Sequence, residues 1–336
     1  MKILVTGAAG FIGFHLVSRL VTEGFEIVGL DNINDYYDVN LKYARLKEQG
    51  INTAKIKYGE IVQSEELTNH RFVKLNLEDK EQIDKLFQNE KFDLVINLAA
   101  QAGVRYSIEN PYAYLNSNLV GFMNVLEACR HNPVKHLYYA SSSSVYGKNK
   151  KVPFSENDKV DNPVSLYAAT KKANELLAAS YHNLYDISCT GLRFFTVYGP
   201  WGRPDMAYYS FTEDILNGKT IKVFNNGNLK RDFTYIDDII ESIYLLFQKD
   251  KANSSHVNRV LNIGNNKPEN LLDFISILEN ELGIKAKREF LPMQPGDVYE
   301  TYADINKLID LTGYTPKVKL QTGLSNFVRW IKGDKY

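Results

Sequence analysis

The sequence has little cysteine, no excess of either charge and no long apolar run. Its two cysteines, Cys129 and Cys189, are too few for a disulfide scaffold or a thiolate metal site, and they read as reduced, buried thiols in a reducing cytoplasm. Forty Lys and Arg against forty Asp and Glu leave a formal net charge of zero, so no overall field draws the chain to nucleic acid or an anionic membrane. No window reaches the roughly 18 uninterrupted apolar residues of a membrane span. Gly7, Gly10 and Gly13 interrupt the apolar start before any signal-peptide cleavage site, so the expectation is a cytoplasmic chain, neither exported nor anchored. The histidines show no paired helical spacing, and no metal is expected. Repeats and low-complexity tracts are also missing. What remains is the composition of an ordinary soluble globular protein, 44% hydrophobic and 24% charged.

Its 336 residues, at roughly 150 per domain, suggest about two domains. In the first half, short β-branched runs (Ile3 to Val5, Ile27 to Leu30, Phe72 to Leu75, Leu94 to Leu98, Leu137 to Ala140) alternate with helical patterns such as Ile12, Leu16 and Leu20. That rhythm predicts an α/β fold, a Rossmann-type doubly wound parallel sheet. Residues 32–66, rich in Tyr, Asn, Lys and Glu, read as an insertion between the second and third strands, with a helical patch near 41–49. From about Leu192 the rhythm loosens into Gly, Pro and Asn punctuation, as in a smaller mixed α/β substrate-binding domain. The expected division is 1–190 with about 233–262 for the sheet domain, and 191–232 with 263–336 for the second.

Thr6-Gly7-Ala8-Ala9-Gly10-Phe11-Ile12-Gly13 spaces three glycines between a strand and an amphipathic helix. Glycine permits positive φ in a tight turn and lets backbone N–H groups approach a pyrophosphate at the helix N-terminus. Asp31 ends the next strand eighteen residues after Gly13, the distance at which a carboxylate accepts from both ribose hydroxyls. An acid there repels a 2′-phosphate, so NAD is expected rather than NADP. Asp31 alone could equally end a strand.

Tyr167 and Lys171, four apart in a helical pattern, share one helix face. A phenol titrates near pH 10, and a neighbouring cation is what brings it into use as a base. The pair alone is also a common surface coincidence. Before it, Ser141-Ser142-Ser143-Ser144 closes a buried strand; alternation would turn Ser142 and Ser144 to one side, towards a sugar hydroxyl becoming a carbonyl. A serine-rich loop capping the next segment is the plainer reading. Asp237-Asp238 before an apolar run reads as helix capping.

These residues resemble the extended short-chain dehydrogenase/reductase superfamily over essentially the whole chain. More narrowly, the stretches Asn97 to Arg105, Phe194 to Met206, Arg231 to Asp238 and Met293 to Val298 look like UDP-glucuronate 4-epimerases. The resemblance implies an NAD site of Gly7, Gly10, Phe11, Ile12, Gly13, Asp31 and Asn32, with Asn76 and Leu77 at the adenine, Leu98, Ala99, Ala100 and Gln101 along its path, and Asn118, Ser141, Tyr167 and Lys171 completing it. Many relatives carry Asp where Asn76 stands, so the adenine contact loses a charge. Ser142, Ser144, Tyr167 and Lys171 match the catalytic set. Arg231, Gln294 and Asp297 match positions that hold UDP, and Arg105, Ser142, Thr196 and Arg203 fall to the sugar, Arg203 offering a two-pronged fork for a carboxylate.

The implied reaction is C4 epimerisation of UDP-glucuronate to UDP-galacturonate for polysaccharide synthesis, with NAD tightly bound and regenerated each turnover. A UDP-glucuronate decarboxylase, a UDP-hexose 4-epimerase and a non-catalytic NAD sensor or scaffold are the alternatives. Sugar-nucleotide 4,6-dehydratases carry Asp-Glu at Ser143-Ser144, and the decarboxylases carry Glu at Ser144, which this chain lacks. Apolar stripes at Leu119, Phe122, Val125 and Leu126 and along the helix after Tyr167 suit either a dimer seam or a face packed on the sheet; the resemblance implies a homodimer through a helix bundle.

Overall fold

A computed structural model describes residues 1–253, 256–293 and 299–333. The chain divides into two compact units. One comprises residues 1–149, 158–194 and 246–261, and the other residues 150–157, 195–245 and 262–336.

The first unit is built on strands β1 (Lys2–Thr6), β2 (Glu26–Asp31), β3 (Ile61–Gln63), β4 (His70–Lys74), β5 (Leu94–Asn97), β6 (His136–Ser142) and β7 (Cys189–Phe194). With the later strand Asn258–Ile263 at one edge, they form an eight-stranded sheet in the order Asn258–Ile263, β7, β6, β5, β1, β2, β4, β3. β4, β2, β1, β5, β6 and β7 pair in parallel, and β3 runs antiparallel to β4. Leaving out the edge strands, the order is that of the doubly wound dinucleotide-binding sheet, reversing direction at β1 and β5, where such sheets open a crevice beyond their carboxyl ends.

Helices α1 (Phe11–Thr22), α2 (Val39–Glu48), α3 (Lys80–Glu90), α4 (Tyr106–Glu109), α5 (Pro111–Tyr114), α6 (Gly121–His131) and α7 (Leu166–Tyr185) complete this unit. Leu4, Val28, Val73 and Val95 pack with Ile83 and Phe87 of α3, Phe122, Val125 and Leu126 of α6, and Ala178 of α7. Their strand neighbours Ile3, Val5, Ile27 and Ile96 are equally inaccessible, so the sheet is buried on both faces, which is why its strands read as continuous apolar runs. Cys129 and Cys189 are unbridged and sit in that core. The insertion contains α2 and also β3, a three-residue edge strand too short for the residue pattern to reveal.

The second unit has a four-stranded mixed sheet of Thr196–Tyr198, Lys230–Tyr235, Pro268–Asn270 and Glu300–Thr301, and a parallel pair of Thr220–Val223 with Lys287–Phe290. Helices Ala207–Leu216 and Leu320–Gly333 meet through rings, Tyr208 edge-on to Phe327 at 4.9 Å. Tyr208 and Tyr209 are therefore core residues, at most 1% exposed. Asp238 does more than begin a helix: its carboxylate accepts from the Tyr314 hydroxyl (2.6 Å) and from the amides of Lys317 and Val318 (both 3.0 Å), pinning the segment before the last helix.

Candidate active site

The turn from β1 to α1 has no room for a side chain at its glycines. Gly7 has φ +72°, and a Cβ there would stand 2.9 Å from the Ala99 amide nitrogen; one at Gly13 would stand 2.0 Å from the Gly7 carbonyl oxygen. Gly10 donates to that same carbonyl at 2.9 Å and precedes α1 with no side-chain cap, so the first-turn N–H groups stay available to an anion. The buried Asp31 carboxylate accepts from Ala9 N (3.2 Å) and Ile33 N (2.8 Å), which spends two of its roughly four lone-pair positions and leaves the others for hydroxyl donors. A glycine cradle beside a helix N-terminus, with a carboxylate at the end of the next strand, is the donor and acceptor set that an NAD pyrophosphate and ribose require.

Thr6 ties this turn to its neighbour: its hydroxyl donates to Asn97 Oδ1 (2.7 Å) and accepts from Ala99 N (3.1 Å). Leu98, Ala99 and Ala100 are half-buried and Gln101 is buried beyond the end of β5. Asn118 holds that strip, accepting from Gln101 N (2.8 Å) and donating to Gln101 O (3.0 Å) and the Thr170 hydroxyl (3.1 Å). It does so from a π-helical turn, Leu115–Val120, a distortion that recurs at functional sites and that the residue pattern does not announce. Phe11 is buried and Ile12 half-buried at the start of α1, Asn32 accepts from Asn34 N (3.1 Å), and Asn76 and Leu77 follow β4.

Two cations escape a reading by motif. Arg45, wholly buried on α2, donates to Ala9 O (2.8 Å) and Tyr37 Oη (2.7 Å), and Lys42 reaches Asn34 O (2.8 Å) and Oδ1 (2.7 Å). They brace the glycine turn and the loop after β2. Their spacing of three, on the helical patch of the insertion, is the only signal the sequence offers.

Ser165 Oγ caps α7 by accepting from Ala168 N (3.1 Å), which puts Tyr167 in the first turn and Lys171 in the second. Lys171 is 3% exposed; its Nζ lies 6.0 Å from the Tyr167 ring centroid and donates to Ala140 O at 2.8 Å. Burial pushes this amine down to about 7. The Tyr167 ring stands edge-on to Tyr114, centroids 6.0 Å apart, and Tyr114 Oη donates to Ala102 O (2.8 Å) and Gly103 O.

β6 ends at Ser142, so the strand alternation expected to align Ser142 with Ser144 stops there. Instead Ser142 Oγ accepts from Ser144 N (3.1 Å) and opens a single 3₁₀ turn, Ser143–Tyr146. The serine that caps and the serine expected to meet substrate are the same residue. Ser141 is buried behind it.

Among the expected substrate residues, Arg105 is exposed immediately before α4, and Arg203 makes the contact of its plainer reading, a loop arginine bridging to a nearby carboxylate. In the second unit, Thr196 is half-buried on its strand, and Arg231 Nη1 donates to Lys230 O (2.8 Å) and Tyr299 O (3.2 Å). Arg203 follows a turn with Gly199 at φ +146° and Trp201 at +61°, Trp201 packing on Trp330 at 5.3 Å. The Arg203 fork closes on Asp205, Nε to Oδ1 at 3.0 Å and Nη2 to Oδ2 at 2.5 Å. Gln294 and Asp297 lie outside the described residues. No group of three His, Cys, Asp or Glu side chains among the described residues could hold a metal ion.

Residues 3–264 match the NAD dependent epimerase/dehydratase family. The chain is 48% identical to UDP-glucuronate 4-epimerase 4 of Arabidopsis thaliana, over 100% of this chain and 77% of that one. It superposes on the UDP-glucuronic acid 4-epimerase of Bacillus cereus, solved in complex with UDP-glucuronic acid and NAD, with a TM-score of 0.87, 34% identity and 99% of each chain covered. A tyrosine-to-phenylalanine variant of that enzyme, solved with UDP-4-deoxy-4-fluoro-glucuronic acid and NAD, has the same TM-score, identity and coverage.

Proposed function

The chain belongs to the NAD dependent epimerase/dehydratase family, and from that premise we propose that it inverts C4 of UDP-glucuronate to give UDP-galacturonate through a transient 4-keto sugar. The observation that carries this reading is Lys171, buried on α7, with its ammonium fixed to Ala140 O at 2.8 Å at the end of the strand that supplies the serines. Gly7, Gly10, Gly13 and Asp31 would hold NAD, which supplies a hydride acceptor that returns the hydride to the opposite face of the sugar.

Tyr167 takes the proton from the 4-hydroxyl and later restores one. The Lys171 ammonium, 6.0 Å from the Tyr167 ring centroid, would favour the phenolate, and the phenolate would in turn favour the charged form of an amine that burial pushes down to about 7. Ser142 and Ser144 would donate to the oxygen as it becomes a carbonyl. Keeping the ketone in one site between its two reductions supplies proximity, so no keto sugar needs to leave.

Arg203 and Thr196 would hold the C6 carboxylate away from the perpendicular geometry in which a β-keto acid loses CO₂, with Arg105, Arg231, Gln294 and Asp297 on the rest of the nucleotide sugar. A second reading, an uncharged UDP-hexose, is favoured by one observation: Asp205 already occupies the Arg203 fork. Incubation with UDP-glucuronate, and separation of UDP-galacturonate, UDP-pentose and unreacted substrate, tests the two; no galacturonate product removes the first.

A homodimer in the cytoplasm with α7 at its seam accompanies this reading; Phe122, Val125 and Leu126 of α6, expected at that seam, pack in the core of their own unit instead. Supporting it, α7 buries Ala168, Lys171, Glu175 and Ala178 on one side but leaves Leu176 and Leu184 60% and 65% exposed on another. No helix among the described residues is long and apolar enough to cross a membrane.

A further inference from the structure

Glu175 lies one helical turn beyond Lys171 on α7 and is 5% exposed. Arg193 of β7, 2% exposed, grips it with two parallel bonds, Nε to Oε1 and Nη2 to Oε2, both 2.8 Å. Oε1 also accepts from Ser141 Oγ at 2.8 Å, and Lys172 Nζ stands 3.3 Å from Oε2. The remaining prong of Arg193 donates to Tyr146 Oη at 3.1 Å. One ion pair therefore touches α7, the end of β6, β7 and the 3₁₀ turn. Those same elements carry Ser142, Ser144, Tyr167 and Lys171, and Ala140, which receives the Lys171 ammonium, adjoins Ser141.

Packing alone does not call for charges here. Two buried ions lose their hydration, and an apolar pair of similar volume commonly stabilises a fold as well or better. What an apolar pair cannot do is set the charge one turn from a titrating amine.

We propose that Glu175 and Arg193 are the positioning pair of the proton-transfer site, holding the serine strand in register with the Tyr167 helix and keeping the buried charge beside Lys171 balanced. The inference rests on the proposed acid and base role of Tyr167 and Lys171. The groups facing Glu175 are Arg193 from β7, Tyr139 from β6 and Lys172 from α7 itself; Tyr146 from the 3₁₀ turn faces Arg193, and Tyr114 of α5 faces Tyr167. Burial and the Glu175 charge hold the Tyr139 hydroxyl well above its ordinary range, so at neutral pH the local balance is set by Glu175 against Arg193, with the partly exposed Lys172 beside them.

The test reads the sign of a shift. Glu175→Gln leaves Arg193 uncompensated, makes the surroundings more positive and favours loss of a proton from the Tyr167 and Lys171 couple. The acid limb of kcat/KM should move down by roughly half a pH unit to one unit. Arg193→Met leaves the carboxylate uncompensated and should move that limb up by a similar amount. The double variant E175Q/R193M, neutral again, should return it to the wild-type position with a lower kcat. A readout independent of turnover is the ultraviolet phenolate titration of each variant minus its Tyr167→Phe counterpart, which should shift with the same signs. Shifts of one sign in both single variants, or none in folded protein, overturn the proposal. If the single variants do not fold, Glu175→Asp decides: it keeps the charge but withdraws the carboxylate, and should lower kcat with the acid limb unmoved, whereas a wild-type kcat overturns the positioning role. Tyr167→Phe run in parallel separates the two failures, because activity surviving there removes the underlying assignment instead.

Discussion

Lys171 and Ala140 are joined by a 2.8 Å hydrogen bond from an ammonium to a backbone carbonyl, thirty-one residues apart in sequence. The bond aims the amine at the strand end rather than at solvent, and no carboxylate among the described residues pairs with it. Function therefore comes at a cost in stability. The folded-state value of about 7 lies below the ordinary 10.5, so the unfolded chain binds the extra proton between those limits, and the penalty is full below about pH 7 and relieved as pH rises towards 10.5.

Lys171→Met should accordingly raise the melting temperature by several degrees at pH 7, with the gain shrinking towards pH 10.5. Turnover should fall by about 10²- to 10⁴-fold, the range for losing a proton-transfer group. Paired thermal melts at neutral and high pH check it; a melting temperature lowered equally at both would show that the methylene stem, not the charge, governs this position.

Tyr167→Phe removes the phenol but none of the contacts of the glycine turn. Activity should drop by a factor of about 10³ or more, while NAD released on denaturation stays at the wild-type ratio to protein. A variant that loses both would place Tyr167 in cofactor retention instead.

Gly13→Ala places a methyl 2.0 Å from the Gly7 carbonyl oxygen. Backbone must move to admit it, at about 1–3 kcal/mol, and the pyrophosphate cradle moves with it. The expected result is a lower melting temperature and loss of co-purifying NAD, measured by the absorbance of the denatured extract.

Arg203→Ala and Asp205→Asn should act in opposite directions on a charged sugar. Losing the fork forfeits a charge-assisted pair of about 1.5–3 kcal/mol, so KM for UDP-glucuronate should rise about 10- to 100-fold. Freeing the fork from Asp205 should lower it. UDP-glucose serves as the control, and an equal response to both sugars would assign the Arg203–Asp205 pair to the loop's own structure.

Burial lowers both His70 and His136 from 6.5 to about 4. The unfolded chain takes up these protons first, so stability contributed by the neutral rings is complete above about pH 6.5 and drains away as pH falls to about 4. Each is worth a few kcal/mol on the order of 1.4 per pH unit. His136→Gln should flatten the fall of melting temperature across that window; an unchanged slope would exclude His136 as its source.

The features legible in the sequence are those set by local spacing. Gly7, Gly10 and Gly13 repeat every third residue, Asp31 ends an apolar run, and Tyr167 and Lys171 are one helical turn apart, so each carries its geometry with it. Ser144 shows where that ends: four serines read as continued strand, yet the Ser142 cap turns the chain after β6. The π turn around Asn118 depends on Gln101 and Thr170, and Glu175 meets Arg193 only because β6 and β7 lie in register, Ser141 opposite Arg193. Such contacts join residues that no period relates.

The central claim is that one carbon gives up its hydrogen and receives the same one back. UDP-glucuronate deuterated at C4, incubated with the purified protein without added cofactor or reductant, should yield UDP-galacturonate that keeps the deuterium at C4. A product carrying solvent hydrogen at that carbon, or a UDP-pentose as the main product, would contradict it.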